Sequence, residues 1–358
     1  MKDRGAFGLS QILELLQDAV SQNASDLHLT VGSPPVFRIA GELRVQQSES
    51  LRAEKTEAMV RELLNAEQWQ HLVTTGEIDF SFSLPGVSRF RMNAFRQRGC
   101  YSLAVRMVPT HVPSFESLGL PSVIRAFADR QQGLVLVTGP TGSGKSTTLA
   151  ALIDAINQTQ KRHIITLEDP IEYLHRHERS VIDQREVGID TMSFAQGLRA
   201  ALRQDPDVLL VGEMRDLETM TTAITAAETG HLVFATLHTP DAPQSIDRMI
   251  DVFPPGQQQQ IRFQLASVIL GVVSQRLIPT VDGKSRVAAS EILVNTPAVA
   301  NLIRSEKVHQ IRTAMQTGKM YGMQTMEMSL RELLQSKRIS EAQIRQYAAE
   351  WASGLSLL

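Results

Sequence analysis

The sequence predicts an α/β protein in which a P-loop nucleotide-binding domain, built on a parallel sheet, follows a smaller α+β domain. Three observations carry this. Gly139-Pro140-Thr141-Gly142-Ser143-Gly144-Lys145-Ser146 fits the phosphate-loop pattern, follows the apolar run Leu134 to Thr138, and leads into Thr147 to Ile153. That is the strand, loop and helix context the motif requires. Downstream, apolar runs at Ile164 to Leu167, Val208 to Val211 and Leu232 to Leu237 alternate with helical segments, as in a parallel sheet buried on both faces. Upstream, shorter candidate strands alternate with turns and no nucleotide motif occurs.

Taken in order, Ile12, Leu13, Leu15, Leu16, Ala19 and Val20 recur at helical spacing among Gln, Glu and Asp, which predicts an amphipathic helix and not a secretion signal. Strands are expected over Asp26 to Val31, Val36 to Ile39, Phe80 to Phe82, Arg89 to Phe95 and Tyr101 to Val108, with an amphipathic helix over about Ala53 to Leu64, from their composition and the turn residues between them. The Pro- and polar-rich stretch Pro109 to Ser114 marks a boundary, giving expected domains 1–112 and 113–358. A helix from about Leu217 to Thr229 is expected to close at Gly230, a residue suited to a left-handed cap. From Gln257 onward the chain reads mostly helical, with Ile292 to Val294 a late candidate strand.

Composition narrows the function classes. The 358 residues suggest about two domains, and with 42 % hydrophobic and 21 % charged residues the chain can bury a sizeable core. The net charge of −2 is spread along the chain, so the basic footprint of a nucleic-acid binder is missing and no nucleic-acid partner is expected. A single cysteine, Cys100, excludes an intrachain disulfide framework and a four-cysteine zinc site. No run approaches the roughly 18 apolar residues of a membrane span. A cytoplasmic protein without direct membrane insertion is therefore expected, reaching a membrane only through partners.

The candidate chemistry is phosphate chemistry. In a P-loop, glycines let successive backbone N–H groups face the β-phosphate, so Gly139, Pro140, Thr141, Gly142, Ser143, Gly144, Lys145, Ser146 and Thr147 are the expected nucleotide-binding residues. Lys145 would reach the β- and γ-oxygens, the Ser146 hydroxyl can ligate Mg²⁺, and the helix beginning there adds its positive dipole end. Glu168, in Glu168-Asp169-Pro170-Ile171-Glu172-Tyr173, falls at the carboxyl end of a strand, where open α/β sheets keep their ligands. A carboxylate there can orient or deprotonate an attacking water; an acidic turn stabilised by Pro170 is an equally open reading. Glu213 follows the strand Val208 to Val211, the place of an acid that holds Mg²⁺ directly or through water. His231 and His238 flank the next strand; His238 emerges where a γ-phosphate sensor would sit, and a structural role is open for both.

The runs G-P-T-G-S-G-K-S, T-L-E-D-P-I-E-Y, L-L-V-G-E-M-R-D and G-H-L-V-F-A-T-L-H-T resemble the Walker A, Asp box, Walker B and His box of the secretion ATPase superfamily. With D-L-H-L near the start, R-F-R-M-N-A-F in the first domain, and A-N-L-I-R and M-Q-T-M near the end, the chain is similar to the type IV pilus retraction motors within it. The resemblance implies a hexameric ring whose subunits pair a PAS-like N-terminal domain with a RecA-like ATPase domain. It also implies ATP and Mg²⁺ as cofactors, and hydrolysis coupled to pilin disassembly and twitching motility. The implied partners are other copies of the chain, an inner-membrane pilus platform protein and a second retraction ATPase, which would hold the motor at the inner face of the cytoplasmic membrane.

By matching position, the resemblance makes Lys145 and Ser146 the phosphate and Mg²⁺ ligands, Glu168 the catalytic carboxylate, Glu213 the Walker B acid and His238 the sensor. Arg91 and Arg106 match N-terminal-domain arginines that reach the nucleotide, against the plainer reading of a solvated strand face. Where relatives often carry A-I-R-N-L-I-R, this chain has Ala300 in place of the arginine, so no role is carried over there. A lone cysteine and a short N-terminal domain fit retraction better than assembly, whose motors carry a tetracysteine zinc motif. The rivals are an accessory retraction ATPase or a secretion or assembly motor of the same superfamily. Outside it stand a nucleic-acid translocase and a nucleotide-gated module that does not hydrolyse.

Overall fold

The computed structural model describes residues 10–283 and 285–350. Contacts within it divide the chain into two compact units, one up to Thr110 and one from His111, so the division falls inside the Pro-rich stretch that opens at Pro109.

The first unit runs α1 Gln11–Ser21, β1 Asp26–Leu29, β2 Val36–Ile39, β3 Glu42–Val45, α2 Ala53–Leu63, α3 Ala66–Thr75, β4 Glu77–Leu84, β5 Ser88–Gln97 and β6 Cys100–Met107. Among the described residues its strands pair antiparallel throughout, in the order β3-β2-β1-β6-β5-β4. One face of the sheet supplies Leu27, Phe37, Met92 and Val105 to a core completed by Ile12, Leu16, Met59 and Leu72 from the helices. Alternation sends the intervening residues, Asp26, Arg38, Arg91 and Arg106, to the opposite face. The helix α3 and the strand β3 are additions to the elements expected from the sequence. In α3 the start is set by Asn65 and Gln68, which cap each other's backbone N–H groups, and the stop by Gly76 at φ +92°, a local signature of a kind readable in sequence.

The second unit runs α4 Ser122–Phe127, β7 Gly133–Thr138, α5 Lys145–Thr159, β8 His163–Glu168, β9 Val181–Glu186, α6 Phe194–Ala201, β10 Val208–Val211, α7 Leu217–Glu228 and β11 Leu232–Leu237. It continues through α8 Ala242–Asp251, α9 Pro255–Val268, β12 Ile269–Pro279, β13 Arg286–Val294, α10 Pro297–Arg304, α11 Ile311–Thr317, α12 Met326–Gln335 and α13 Glu341–Glu350. The described strands form one sheet in the order β13-β12-β7-β11-β10-β8-β9, parallel except for β13 against β12.

Every residue of β7, β10 and β11 is buried. Alternate side chains feed two cores: Leu134, Leu136, Leu209 and Val233 pack with α7 to α10, while Val135, Val137, Leu210 and Phe234 pack with α4 and α5. The sheet is thus a filled layer between two helical layers, which is why these strands read as continuous apolar runs. The helix α7 starts on the Asp216 side chain, which accepts from Thr219 N–H, and gives way after Thr229 to Gly230 at φ +108°.

The expectation of a mostly helical chain after Gln257 is corrected by β12 and β13, a long antiparallel pair that continues the sheet beyond β7. The run Val268 to Val273 is apolar without a clear period, and such a run is equally compatible with a buried strand or a buried helix. Contact with β7 decides in favour of the strand.

Candidate nucleotide site at the carboxyl ends of the parallel strands

Four parallel strands open at their carboxyl ends onto one region: β7 into the P-loop, β8 at Glu168, β10 into Gly212-Glu213, and β11 into His238. The P-loop owes its path to backbone that only glycine adopts. Gly139 stands at φ +137°, and a Cβ there would lie 2.5 Å from the Gln275 carbonyl oxygen and 2.7 Å from Ser143 Oγ. No side chain fits such a space. The loop is also braced from β12, where Ser274 Oγ and Thr138 Oγ1 share a hydrogen bond of 2.8 Å.

Lys145 opens α5 and folds back over the loop, its ammonium donating to the Gly139 and Pro140 carbonyls at 2.9 and 3.0 Å. Partial burial lowers its pKa, and the Glu213 carboxylate works in the opposite direction. Two residues on, Thr147 Oγ1 meets the Tyr173 hydroxyl at 3.1 Å, tying the first turn of α5 to the loop that follows β8.

Ser146, Glu168 and Glu213 line a single cleft together with Asp169, Glu172, Tyr173 and Thr236. Within it, Glu168 Oε1 accepts from Thr166 Oγ1 at 2.6 Å and from Gln184 Nε2 at 3.1 Å. Burial pushes the Glu168 pKa up, and these two donors with the Glu172 backbone N–H oppose that shift. Glu213 Oε1 accepts from Arg215 Nε and lies 3.1 Å from His238 Nε2.

The second histidine has a structural role: His231 Nδ1 is 2.9 Å from the Ala226 carbonyl at the end of α7, so it closes a helix. His175 also lines the cleft and is held neutral, burial lowering its pKa to about 4. Its ring Nδ1 is buried with no hydrogen-bond partner among the described residues.

Arg91 and Arg106 belong to the first unit and stand directly opposite each other on β5 and β6. Arg106 Nε is 3.1 Å from Asp26 Oδ1, and Arg38 Nε is 3.7 Å from Asp26 Oδ2. Asp26, which stands opposite Arg106 on the other side in β1, offsets the like charges that face each other across β5 and β6.

The donors in the cleft suit Mg²⁺. Hydroxyl and carboxylate oxygens from Ser146 and Glu213 are the hard ligands that ion prefers, and it usually completes its shell with phosphate and water and not with an all-protein cage. Among the described residues there is no group of three or more His, Cys, Asp or Glu that could hold a metal ion by itself.

Sequence reasoning missed Thr166 and Gln184. They become visible only once β9 lies beside β8 with Thr166 opposite Gln184, a pairing that spacing along the chain does not reveal.

The fold and the site together define a P-loop ATPase of the α/β class. The chain belongs to the type II/IV secretion system protein family, which it matches over residues 5–355. It is 48 % identical over 337 residues to the type IV pilus retractation ATPase PilT of Pseudomonas aeruginosa, covering 94 % of this chain and 98 % of that protein. It is 47 % identical over 337 residues to the twitching motility protein of Neisseria gonorrhoeae, covering 94 % and 90 %. A crystal structure of the pilus retraction motor PilT with bound ADP superposes with a TM-score of 0.84 at 48 % identity, over 94 % of this chain and 96 % of that one. No helix among the described residues is long and apolar enough to cross a membrane.

Proposed function

We propose that this chain is an ATP-hydrolysing motor that powers type IV pilus retraction, working as a homohexameric ring on the cytoplasmic side of the inner membrane. It would act there through an inner-membrane platform protein and alongside a second retraction ATPase. The observation that carries the reading is the meeting of Ser146, Glu168 and Glu213 in one cleft beside the P-loop, in a chain similar over nearly its whole length to proteins named for pilus retraction and twitching.

In this reading Lys145 exchanges its two carbonyl partners for the β- and γ-phosphate oxygens, and the P-loop N–H groups and the start of α5 hold the rest of the phosphate chain. Ser146 and Glu213 would hold Mg²⁺, which would supply positive charge against the transferring phosphate. Glu168 orients the attacking water and accepts its proton; a pKa raised by burial brings a carboxylate nearer the value that suits a base at neutral pH. His238, 3.1 Å from Glu213, registers the γ-phosphate, and Arg91 and Arg106 contribute positive charge to the nucleotide.

The test is deletion of the gene with a count of surface pili and a twitching assay. More surface pili and no twitching is the expected result. Loss of pili would instead mark an assembly motor, and a normal count with normal motility would place the chain outside pilus retraction.

A further inference from the structure

We propose that Gln184 is a positioning residue for Glu168, fixing which way the carboxylate faces and tying it to the loop that leads back to the P-loop helix. The inference rests on Glu168 acting as the base.

Gln184 sits on β9 directly opposite Thr166 on β8, so both side chains leave the same face of the sheet and converge on the same carboxylate oxygen. The amide uses both of its ends. Its Nε2 donates to Glu168 Oε1 at 3.1 Å and to the Tyr173 carbonyl at 2.9 Å, while its Oε1 accepts from His175 N–H at 2.8 Å. Turning the amide over would set its oxygen against two acceptors and its NH₂ against a donor, so the network permits one orientation.

Two consequences follow from that orientation. The side chain presents only donors to Glu168, which favours the ionised carboxylate against the cost of burying it. The same amide holds the backbone on either side of Leu174, through the Tyr173 carbonyl and the His175 N–H, and the Tyr173 hydroxyl in turn reaches Thr147 on α5. Glu168 is therefore held in place by a residue sixteen positions along the chain, through contacts that also fix the loop between them. The other titratable side chains lining the cleft include Asp169, Glu172, His175 and Glu213.

The experiment measures single-turnover ATP hydrolysis by the full chain across a pH series, with nucleotide binding and thermal melting, for Gln184→Ala, Gln184→Glu, Glu168→Gln and the double variant Glu168→Gln/Gln184→Ala. Gln184→Ala is expected to keep ATP binding within a few-fold and to lower the rate about 10- to 100-fold, the scale on which misplaced catalytic groups cost activity. Losing a donor to the carboxylate should also move the acid limb of the profile to higher pH. Gln184→Glu, nearly the same size, should move it further by setting a second carboxylate beside the first, and it carries the test alone if the alanine variant does not fold. In the Glu168→Gln background, Gln184→Ala should cost nothing more, because residues acting through one group are not additive.

An unmoved acid limb in the folded Gln184 variants, with Glu168→Gln inactive, would overturn the inference and leave the base assignment intact. A Glu168→Gln variant within a few-fold of wild type would remove the base assignment itself, and the inference with it.

Discussion

His238 Nε2 lies 3.1 Å from Glu213 Oε1, so the residue leaving β11 is tied to the acid that follows the neighbouring strand β10. The same oxygen accepts from Arg215 Nε. The carboxylate at the edge of the cleft thus has Arg215 as a donor and the His238 ring nitrogen at ion-pair distance, and of the two His238 is the less exposed.

His238→Ala should keep ATP binding and lower turnover about 10-fold or more, since in the proposed mechanism the lost group acts at the γ-phosphate, beside the Glu213 carboxylate. Steady-state hydrolysis beside a nucleotide titration checks this. Unchanged turnover would reduce the contact to a surface ion pair.

Glu168→Gln should retain ATP affinity and lose at least about 100-fold in turnover, a positioned base contributing roughly 10²–10⁴. The same two measurements decide it. Activity within a few-fold of wild type would transfer the base to Glu213.

Gly139→Ala should abolish nucleotide binding or the soluble fold. Its Cβ would come within 2.5 Å of a backbone oxygen at φ +137°, and neither strand can retreat without breaking the Thr138–Ser274 bond. Binding of a fluorescent nucleotide, with a melting curve for the purified variant, reads both outcomes. Wild-type affinity and melting would show that the loop can relax.

Glu291 makes stability depend on pH. It is buried on β13, where Oε1 accepts from Ala242 N–H at 2.8 Å at the start of α8, and the Met326 backbone at the start of α12 also bonds it. Burial is the largest influence on its pKa, which rises from 4.5 to about 7, with Asp241 and Glu327 adding to the rise. A folded-state pKa above the unfolded value means a contribution fully present below about pH 4.5 and lost as the pH climbs through about 7. Glu291→Gln keeps an acceptor for Ala242 and removes the titration. Its melting temperature should therefore gain on that of wild type as the pH is raised from about 5 to about 8, measured at constant ionic strength. Parallel curves for the two proteins would assign the dependence to other groups.

Much of the site was legible because its residues sit in short runs with a local mechanism. Gly139 to Ser146 is a contiguous turn between a strand and a helix, and Glu168, Glu213 and His238 each come at or after the end of an apolar run that forms a parallel strand. The supporting residues are not local. Gln184 lies on β9, whose Asp183, Gln184 and Arg185 interrupt any apolar pattern because β9 is an edge strand with Val181 itself exposed. Its partnership with Thr166 depends on register between strands, which no spacing within either strand specifies. The helix expected in place of β12 failed for a different reason, since a run buried on all sides has lost the polar residues that would announce its period.

The bracing of the P-loop by β12 joins residues 136 positions apart. A fragment trimmed before Ile269 would retain all four of the motifs by which such an ATPase is recognised, yet would lack both the hydroxyl that meets Thr138 and the carbonyl against which Gly139 is packed. Motif content and a competent phosphate cradle are thus separable properties of this chain. An inventory of signatures would score the trimmed piece as whole, while the back wall of its nucleotide site had been cut away.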